Sequence, residues 1–314
     1  ANLTEDENEL VPSGVRVGDV SHRPPGLTPH LRVRGETAKR KAQQALNQLG
    51  GQPRWQIRRE RRRERTRQAL LAGPQSAPPT GYTVGNYVGL CLLVQFPDVS
   101  GTIGQNQVHN FCNQQGYNLD GNNGSVYDYF YDNSDGKLHY TNVVTAYYTA
   151  KHNRVYYTDP AVAYGSRARE LILEGLAHLK TQGFNFSQLS SDSDDYVYAL
   201  NVFYAGDVVN NWAEGLWPHS WALATPYQAA TGKRFSDYQI TNMGTQLTLG
   251  TFCHENGHMI CDFPDLYDYG YQSNGVGNYC LMCAGGADTN PTQVNAYLKY
   301  KAGWATGVTP ITGE

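Results

Sequence analysis

The strongest constraint on the fold is an apolar stretch, residues 247–260, that contains His254-Glu255-Asn256-Gly257-His258. Residues four apart lie on the same face of a helix, so the two imidazoles are placed to hold one metal ion. A histidine pair buried in a helix is costly unless it is bound. The motif predicts a buried metal-binding helix. Its apolar neighbours are Leu247, Leu249, Phe252, Met259 and Ile260.

Two histidines, one further protein ligand and a water form the open arrangement of a catalytic zinc. Glu255 then lies where it can take a proton from that water, which predicts amide hydrolysis. The third ligand is sought among Asp262, Asp265 and Asp268. We favour Asp265, because Pro264 breaks the helix and lets the chain fold back on the metal. Asp262 lies close to the helix end, and Asp268 is suited to support a ligand histidine.

Charge divides the chain into two parts. Residues 1–80 carry 15 Lys/Arg and 8 Asp/Glu, whereas residues 81–314 carry 10 and 20. In the first part we predict an irregular start, two basic helices over 36–49 and 53–71, and a Pro-rich linker at 73–81. The basic helices are predicted to dock on the acidic body. A solvated helix face and a processing site are the alternatives for Arg61, Arg62 and Arg63.

The body reads as mixed α and β. Residues 87–96 and 197–205 have the apolar pattern of core strands. Between them, Asp159 and Pro160 are predicted to start a long helix that Gly183 ends.

Cysteine usage and the lack of a long apolar run bear on the compartment. Residues 88–94 form the longest apolar run, which is too short for a membrane span. The six cysteines predict disulfides and a secreted, extracellular protein. Cys91 and Cys112 form one predicted pair, and the others are expected among Cys253, Cys261, Cys280 and Cys283. A structural zinc at Cys280 and Cys283 is the alternative.

Acidic residues elsewhere raise the question of calcium. Asp192, Asp194 and Asp195 have the oxygen-rich character of a calcium loop, as does the group of Asp120, Asn122 and Asn123. Polar turns are an equal alternative. The acidic body makes nucleic acid an improbable partner.

Residues 85–305 resemble the immune inhibitor A-like family of secreted bacterial metallopeptidases, which is related to the metzincins. Besides the histidine motif followed by Pro-Asp-Leu-Tyr-Asp, the resemblance rests on segments 124–130, 135–138, 216–221 and 277–282. It implies that Met282 forms a hydrophobic base beneath the metal. One departure is Cys261, where the family has a glycine seven residues after the first histidine; the third ligand also falls one residue late.

The resemblance implies an α+β, zincin-like catalytic domain over 81–314. The charge split and the basic helices make residues 1–80 its predicted helical, basic pro-segment. An upper subdomain, 81–258, would hold a twisted sheet and long helices. A lower one, 259–314, would hold few regular elements apart from a helix from Pro291 to about Tyr300. Substrate would lie between them. Tyr267 or His219 would donate a hydrogen bond to the oxyanion.

These expectations together predict a secreted zinc endopeptidase that acts on proteins or peptides and is made as a latent precursor. Glu255 is the general base, and His254, His258 and Asp265 are the metal ligands. Two alternatives remain. One is a zincin-fold binding protein without turnover, and the other is a polyanion-binding module that carries a peptidase.

Overall fold

A computed structural model describes residues 44–45, 48–71, 83–211, 214–268, 273–286 and 288–305, without the side chains at 62, 63 and 65–71. These residues form a mixed α/β structure with one five-stranded, mostly parallel sheet and seven α-helices. The predicted mixture of helix and sheet is confirmed.

The sheet has the order β2-β1-β3-β5-β4. Its strands are β1 (Gly85–Gln95), β2 (Leu138–Thr149), β3 (Leu200–Tyr204), β4 (His219–Ala230) and β5 (Lys233–Asn242). The first four in this order are parallel, and β4 pairs antiparallel with β5 at the edge. The two predicted core strands correspond to β1 and β3.

Helices cover both faces of the sheet. They are α1 (Arg54–Leu71), α2 (Gln105–Asn113), α3 (Val126–Asn133), α4 (Arg154–Tyr157), α5 (Ser166–Thr181), α6 (Leu249–Cys261) and α7 (Ala296–Lys301). Alternate residues of β1 face opposite sides, as in any strand. Leu92 packs with α5, whereas Leu93 belongs to the core cluster of α2, α3 and α6. At Gly175 of α5, an added Cβ would lie 2.6 Å from Leu92, so a glycine allows this close approach.

Two predicted helix starts are wrong. The long helix α5 starts at Ser166 rather than near Asp159, whose carboxylate instead accepts the Ala161 N–H in a turn. The last helix, α7, starts at Ala296 rather than Pro291, because the Asn295 side chain caps it by accepting the Leu298 N–H.

Helix α1 matches the second predicted basic helix and begins just after Pro53. Of the first predicted basic helix, residues 44, 45, 48 and 49 are described; the first three are helical, and residue 49 lies in a turn. The irregular start and the linker at 73–81 lie outside the described residues. Beyond α6, the described residues contain α7 and one short 3-10 turn, Gly277–Tyr279.

A buried polar network fastens α6 to the sheet. The Asn256 side chain accepts a hydrogen bond from the Tyr140 hydroxyl at 2.7 Å and donates one to Asn201 at 2.9 Å. Asn201 also binds Asn142 and Gln239. Because these residues come from β2, β3 and β5, the network sets the position of α6 against three strands.

All six cysteines are buried and free. None of the predicted disulfides is formed in the structure. Cys112 is hydrogen-bonded to Cys91, and burial raises its pKa well above the usual range. No helix in the described part of the chain is long and apolar enough to cross a membrane.

Candidate metal centre

The helix that carries the motif is held at both ends and is buried along nearly its whole length. At its start, the Asn122 side chain accepts the Leu249 N–H and donates to the Leu247 carbonyl. Asn122 therefore serves the N-terminus of α6 rather than a calcium ion. His254 is fully buried, and Glu255 and His258 are 3% and 6% exposed.

His254, His258 and Asp265 converge on one point. The Nε2 atoms of His254 and His258 are 3.1 Å apart. Asp265 Oδ1 lies 3.2 Å from His254 Nε2 and 3.3 Å from His258 Nε2. These three side chains form the one group of potential metal ligands found among the described residues. Of the three carboxylates considered for the third position, Asp265 is the one that joins the histidines.

The hydrogen bonds of the two rings test whether this group suits a metal ion. His254 Nδ1 lies 3.0 Å from the Leu281 carbonyl, and His258 Nδ1 lies 2.6 Å from the Phe263 carbonyl. A carbonyl only accepts, so both Nδ1 atoms carry hydrogen and the neutral rings present lone pairs at Nε2.

Two lone pairs and a carboxylate oxygen therefore face one another, an arrangement that a cation stabilises. Tetrahedral ligands at zinc distances lie about 3.3 Å apart, close to the spacing seen here. The cluster can hold a metal ion.

The turn after α6 carries Asp265 back to the histidines. Asp262 has φ 58° and ψ 27°, the left-handed conformation that ends a helix. The helix is therefore ended by Asp262 and not by Pro264. Beyond it, the Leu266 N–H binds the Met282 carbonyl at 2.7 Å. The Tyr267 hydroxyl donates to Asp265 Oδ2 at 2.8 Å, which orients the carboxylate.

Met282 is fully buried beneath the helix. A Cβ added at Gly257 would lie 2.7 Å from the Met282 sulfur, so the methionine packs where the helix has no side chain. The preceding residue, Leu281, provides the carbonyl for His254. The turn thus packs against α6 and orients the His254 ring.

The negative charge of Glu255 acts on the pKa of a candidate metal ligand and on that of a buried tyrosine. Burial acts to lower the pKa of His258, but the charges of Asp265 and Glu255 outweigh it, and the pKa is raised. Burial raises the pKa of Tyr164 well above its usual range, and Glu255 adds to the rise. The Tyr164 hydroxyl donates to the Trp217 carbonyl at 3.2 Å.

Two residues predicted to assist the site are engaged elsewhere. His219 Nδ1 donates to the Trp217 carbonyl at 2.7 Å, and its Nε2 accepts from the Tyr238 hydroxyl at 3.1 Å. Burial lowers the pKa of His219 to about 4, so the ring is neutral at pH 7. Both nitrogens would have to leave their partners for His219 to reach a substrate. Asp268 accepts hydrogen bonds from Ser273.

The acidic residues proposed for calcium bind an arginine of α1. Arg54 Nη2 lies 2.9 Å from Asp192 Oδ2 and 2.7 Å from Asp194 Oδ2. The other Asp192 oxygen accepts N–H groups of its own turn, in which Asp195 has φ 67°. These contacts fit the alternative of a polar turn.

Helix α1 lies directly on the site, and its contacts were not located by the sequence. The Trp55 ring stacks on the His258 ring at 5.1 Å and 27°. Asp237 of β5 accepts the Arg54 and Trp55 N–H groups, and so caps the helix. Arg58 Nε binds Asp262 at 2.8 Å. The sequence feature that could have indicated this contact is Trp55, a large apolar side chain at the start of an arginine-rich helix.

A scan against protein-family models finds no match for this chain, and a search of curated proteins finds no relative.

Proposed function

We propose that this protein is a secreted zinc-dependent endopeptidase, made as a latent precursor, that hydrolyses peptide bonds in proteins. The observation that carries the proposal is the convergence of three side chains: His254 and His258, on the buried helix that also carries Glu255, and Asp265 from the chain just after that helix. Two imidazoles and one carboxylate suit zinc better than calcium or magnesium, which prefer oxygen ligands alone.

Bound zinc would acidify a water molecule and polarise the scissile carbonyl. Glu255 is the group placed to accept the proton of the attacking water and to pass it to the leaving amine. Tyr267 keeps Asp265 oriented through its hydrogen bond, and the Leu281 and Phe263 carbonyls keep both Nε2 atoms free of hydrogen.

The spacing of the turn supports the resemblance to metzincin-type peptidases. In that motif a glycine follows the first histidine by seven residues, whereas here the left-handed residue is Asp262, eight residues after His254. The third ligand is displaced by one residue as well. The interval from turn to ligand is therefore kept, and a single inserted residue accounts for both departures.

Latency is supported by the position of α1. Trp55 is 7% exposed and covers one face of a candidate metal ligand, while Arg58 and Arg54 bind carboxylates on either side. In this proposal, a peptide that reaches the metal cluster formed by His254, His258 and Asp265 displaces these contacts. Residues 1–80 therefore act as a pro-segment in this proposal.

The proposal is tested by measuring zinc content and casein hydrolysis, before and after limited proteolysis of the Arg-rich segment, with a chelator control. We expect one zinc per chain and chelator-sensitive activity that appears after cleavage. Zinc without activity under any treatment would favour the alternative of a binding protein on this scaffold.

Glu255→Gln separates metal binding from chemistry. The variant should retain zinc, because Glu255 is not a ligand, and should lose at least about a hundredfold in activity, because the general base is gone. Glu170→Gln, the same change on the remote helix α5, is the matched control and should keep full activity. Undiminished hydrolysis by pure Glu255→Gln protein would refute the mechanism.

A further inference from the structure

Residues 49–58 cross the face of the molecule that carries the metal cluster. The path begins at edge strand β4, where Gly51 packs so closely that an added Cβ would lie 2.6 Å from the Leu223 carbonyl. It continues over Asp237 in β5 to His258, and it ends at Asp262, the residue that caps the C-terminus of α6. A peptide that brought its backbone to the metal cluster would meet the same surface.

Several of these contacts hold backbone atoms and are independent of side-chain identity. Arg169 donates to the carbonyls of Leu49 at 2.9 Å and Gly50 at 2.6 Å, and its guanidinium also binds the Ala222 carbonyl of β4. Asp237 accepts two backbone N–H groups at 2.7 and 3.0 Å. Groups of this kind can hold any extended or turning peptide.

Two further contacts depend on side chains, and both hold arginine. Arg58 donates through Nε to Asp262 at 2.8 Å and through Nη2 to the Met259 carbonyl at 2.8 Å. The Asp262 side chain is 1% exposed even though its partner is 22% exposed. The planar fork of a guanidinium reaches both acceptors at once, which a lysine ammonium does not reproduce.

The second arginine contact is made by Arg54, next to Trp55 in the sequence. Arg54 binds Asp192 and Asp194, and its guanidinium lies 3.8 Å from the centre of the Tyr196 ring. Carboxylates beside an aromatic face form a binding site that is typical for arginine. The acidic turn is therefore an occupied arginine site, not merely a group of acids.

We propose that this surface is the substrate-binding surface of the peptidase, and that Asp262, Asp192 and Asp194 select polypeptides with arginine near the scissile bond. The proposal rests on the proposed function. When α1 leaves, the nearly buried Asp262 carboxylate loses the guanidinium of Arg58. A substrate arginine that replaces Arg58 restores this ion pair, whereas a neutral side chain does not.

The test uses the full chain, loaded with zinc and opened with a glutamyl endopeptidase that does not cleave after arginine; Glu60 offers an exposed site within α1. Two quenched fluorescent peptides differ only in one residue, arginine or its neutral isostere citrulline. Only chelator-sensitive hydrolysis is counted. We expect kcat/KM to be at least about tenfold higher for the arginine peptide.

Asp262→Asn should bring the ratio of the two kcat/KM values towards one. If that variant does not fold, the double variant Asp192→Asn and Asp194→Asn, at a more exposed turn, gives a second reading of the same ratio. Asp132→Asn on α3 is the matched control and should keep the wild-type ratio.

The outcomes separate the two proposals. Equal hydrolysis of both peptides would overturn the arginine preference and leave the peptidase intact; the surface would then serve only to hold the pro-segment. The absence of chelator-sensitive hydrolysis for both peptides and for casein would overturn the proposed function itself.

Discussion

Asp265 differs from the two histidines because it comes from irregular chain rather than from a helix. Its position depends on the Leu266 N–H bond to Met282 and on the Tyr267 hydroxyl, which donates to the carboxylate at 2.8 Å. Hydrogen bonds that orient a ligand commonly affect metal affinity as strongly as a weak ligand does. Tyr267 is therefore placed to tune zinc binding.

Tyr267→Phe should lower zinc affinity by about tenfold, because the carboxylate loses the donor that orients it. Competition with a chromogenic zinc chelator measures the change. Tyr279→Phe removes a hydroxyl from a side chain that is 85% exposed, and should leave the affinity as it is. Equal affinities of the Tyr267→Phe and wild-type proteins would show that the hydrogen bond is not needed.

His219 makes stability depend on pH. Its pKa falls to about 4 in the folded protein, from an ordinary 6.5, chiefly because of burial. Between these values the unfolded chain binds more protons than the folded one, so stability is lost as pH falls from 6.5 towards 4. The full difference is about 3 kcal/mol.

Urea unfolding of the metal-free chain at several pH values measures this loss. His219→Gln should show a shallower decline of unfolding free energy between pH 6.5 and 4 than the wild type. His109 is exposed, and His109→Gln should decline as the wild type does. Identical slopes for His219→Gln and wild type would contradict the assignment.

The sequence located those site residues that are close together along the chain. His254, Glu255 and His258 follow from helical spacing, and Asp265 follows from a break shortly after the helix. It could not locate Trp55, because the contact with His258 joins residues about 200 positions apart. No local pattern encodes such a pairing.

At the scale of elements, the same distinction separates what was predicted from what was missed. Strand β1 and helix α6 follow from their apolar patterns, whereas the order β2-β1-β3-β5-β4 requires knowledge of pairing between distant strands. The asparagine of the motif belongs to this second group. Asn256 looks like a polar interruption in an apolar helix, and only Asn201 and Tyr140 explain it.

Helix α1 contains the contacts that would keep the precursor inactive. Trp55 buries its ring against His258, and burying an aromatic side chain contributes about 2 kcal/mol or more. Loss of that contribution raises the population of chains in which the helix has left the site.

Trp55→Ala should therefore raise the casein-hydrolysing activity of the uncleaved chain by about tenfold or more. Arg61→Ala changes an exposed arginine of the same helix and should leave the precursor as latent as the wild type. The measurement is the initial rate of casein hydrolysis before any proteolysis. A gel confirms that the chain is still intact. An uncleaved Trp55→Ala protein that is as silent as the wild type would remove Trp55 from the latency mechanism.

At the scale of the whole molecule, the described part of the basic segment lies on the acidic body beside the candidate metal ligands. The charge split in the sequence predicts the attraction, and the structure supplies four carboxylates that meet α1: Asp192, Asp194, Asp237 and Asp262. Salt screens an exposed ion pair such as Arg54–Asp194 more strongly than the pair that Arg58 forms with the buried Asp262. The docked position of α1 therefore depends mostly on Arg58 and Trp55.

Trp55 packs on His258, a proposed zinc ligand, so zinc binding and docking of α1 should be coupled. Coupling of this kind is reciprocal in binding free energy, so a docked helix raises the affinity for zinc, and bound zinc stabilises the docked helix. We expect the higher affinity to appear as slower dissociation of zinc. Transfer of zinc to a chromogenic chelator should be about tenfold slower from the uncleaved chain than from the cleaved one. In the uncleaved chain, Trp55→Ala should release zinc as fast as the cleaved protein, and Arg61→Ala as slowly as the wild type. Equal release rates before and after cleavage would mean that α1 covers the site without sensing the metal, and the pro-segment would then act only as a barrier to substrate.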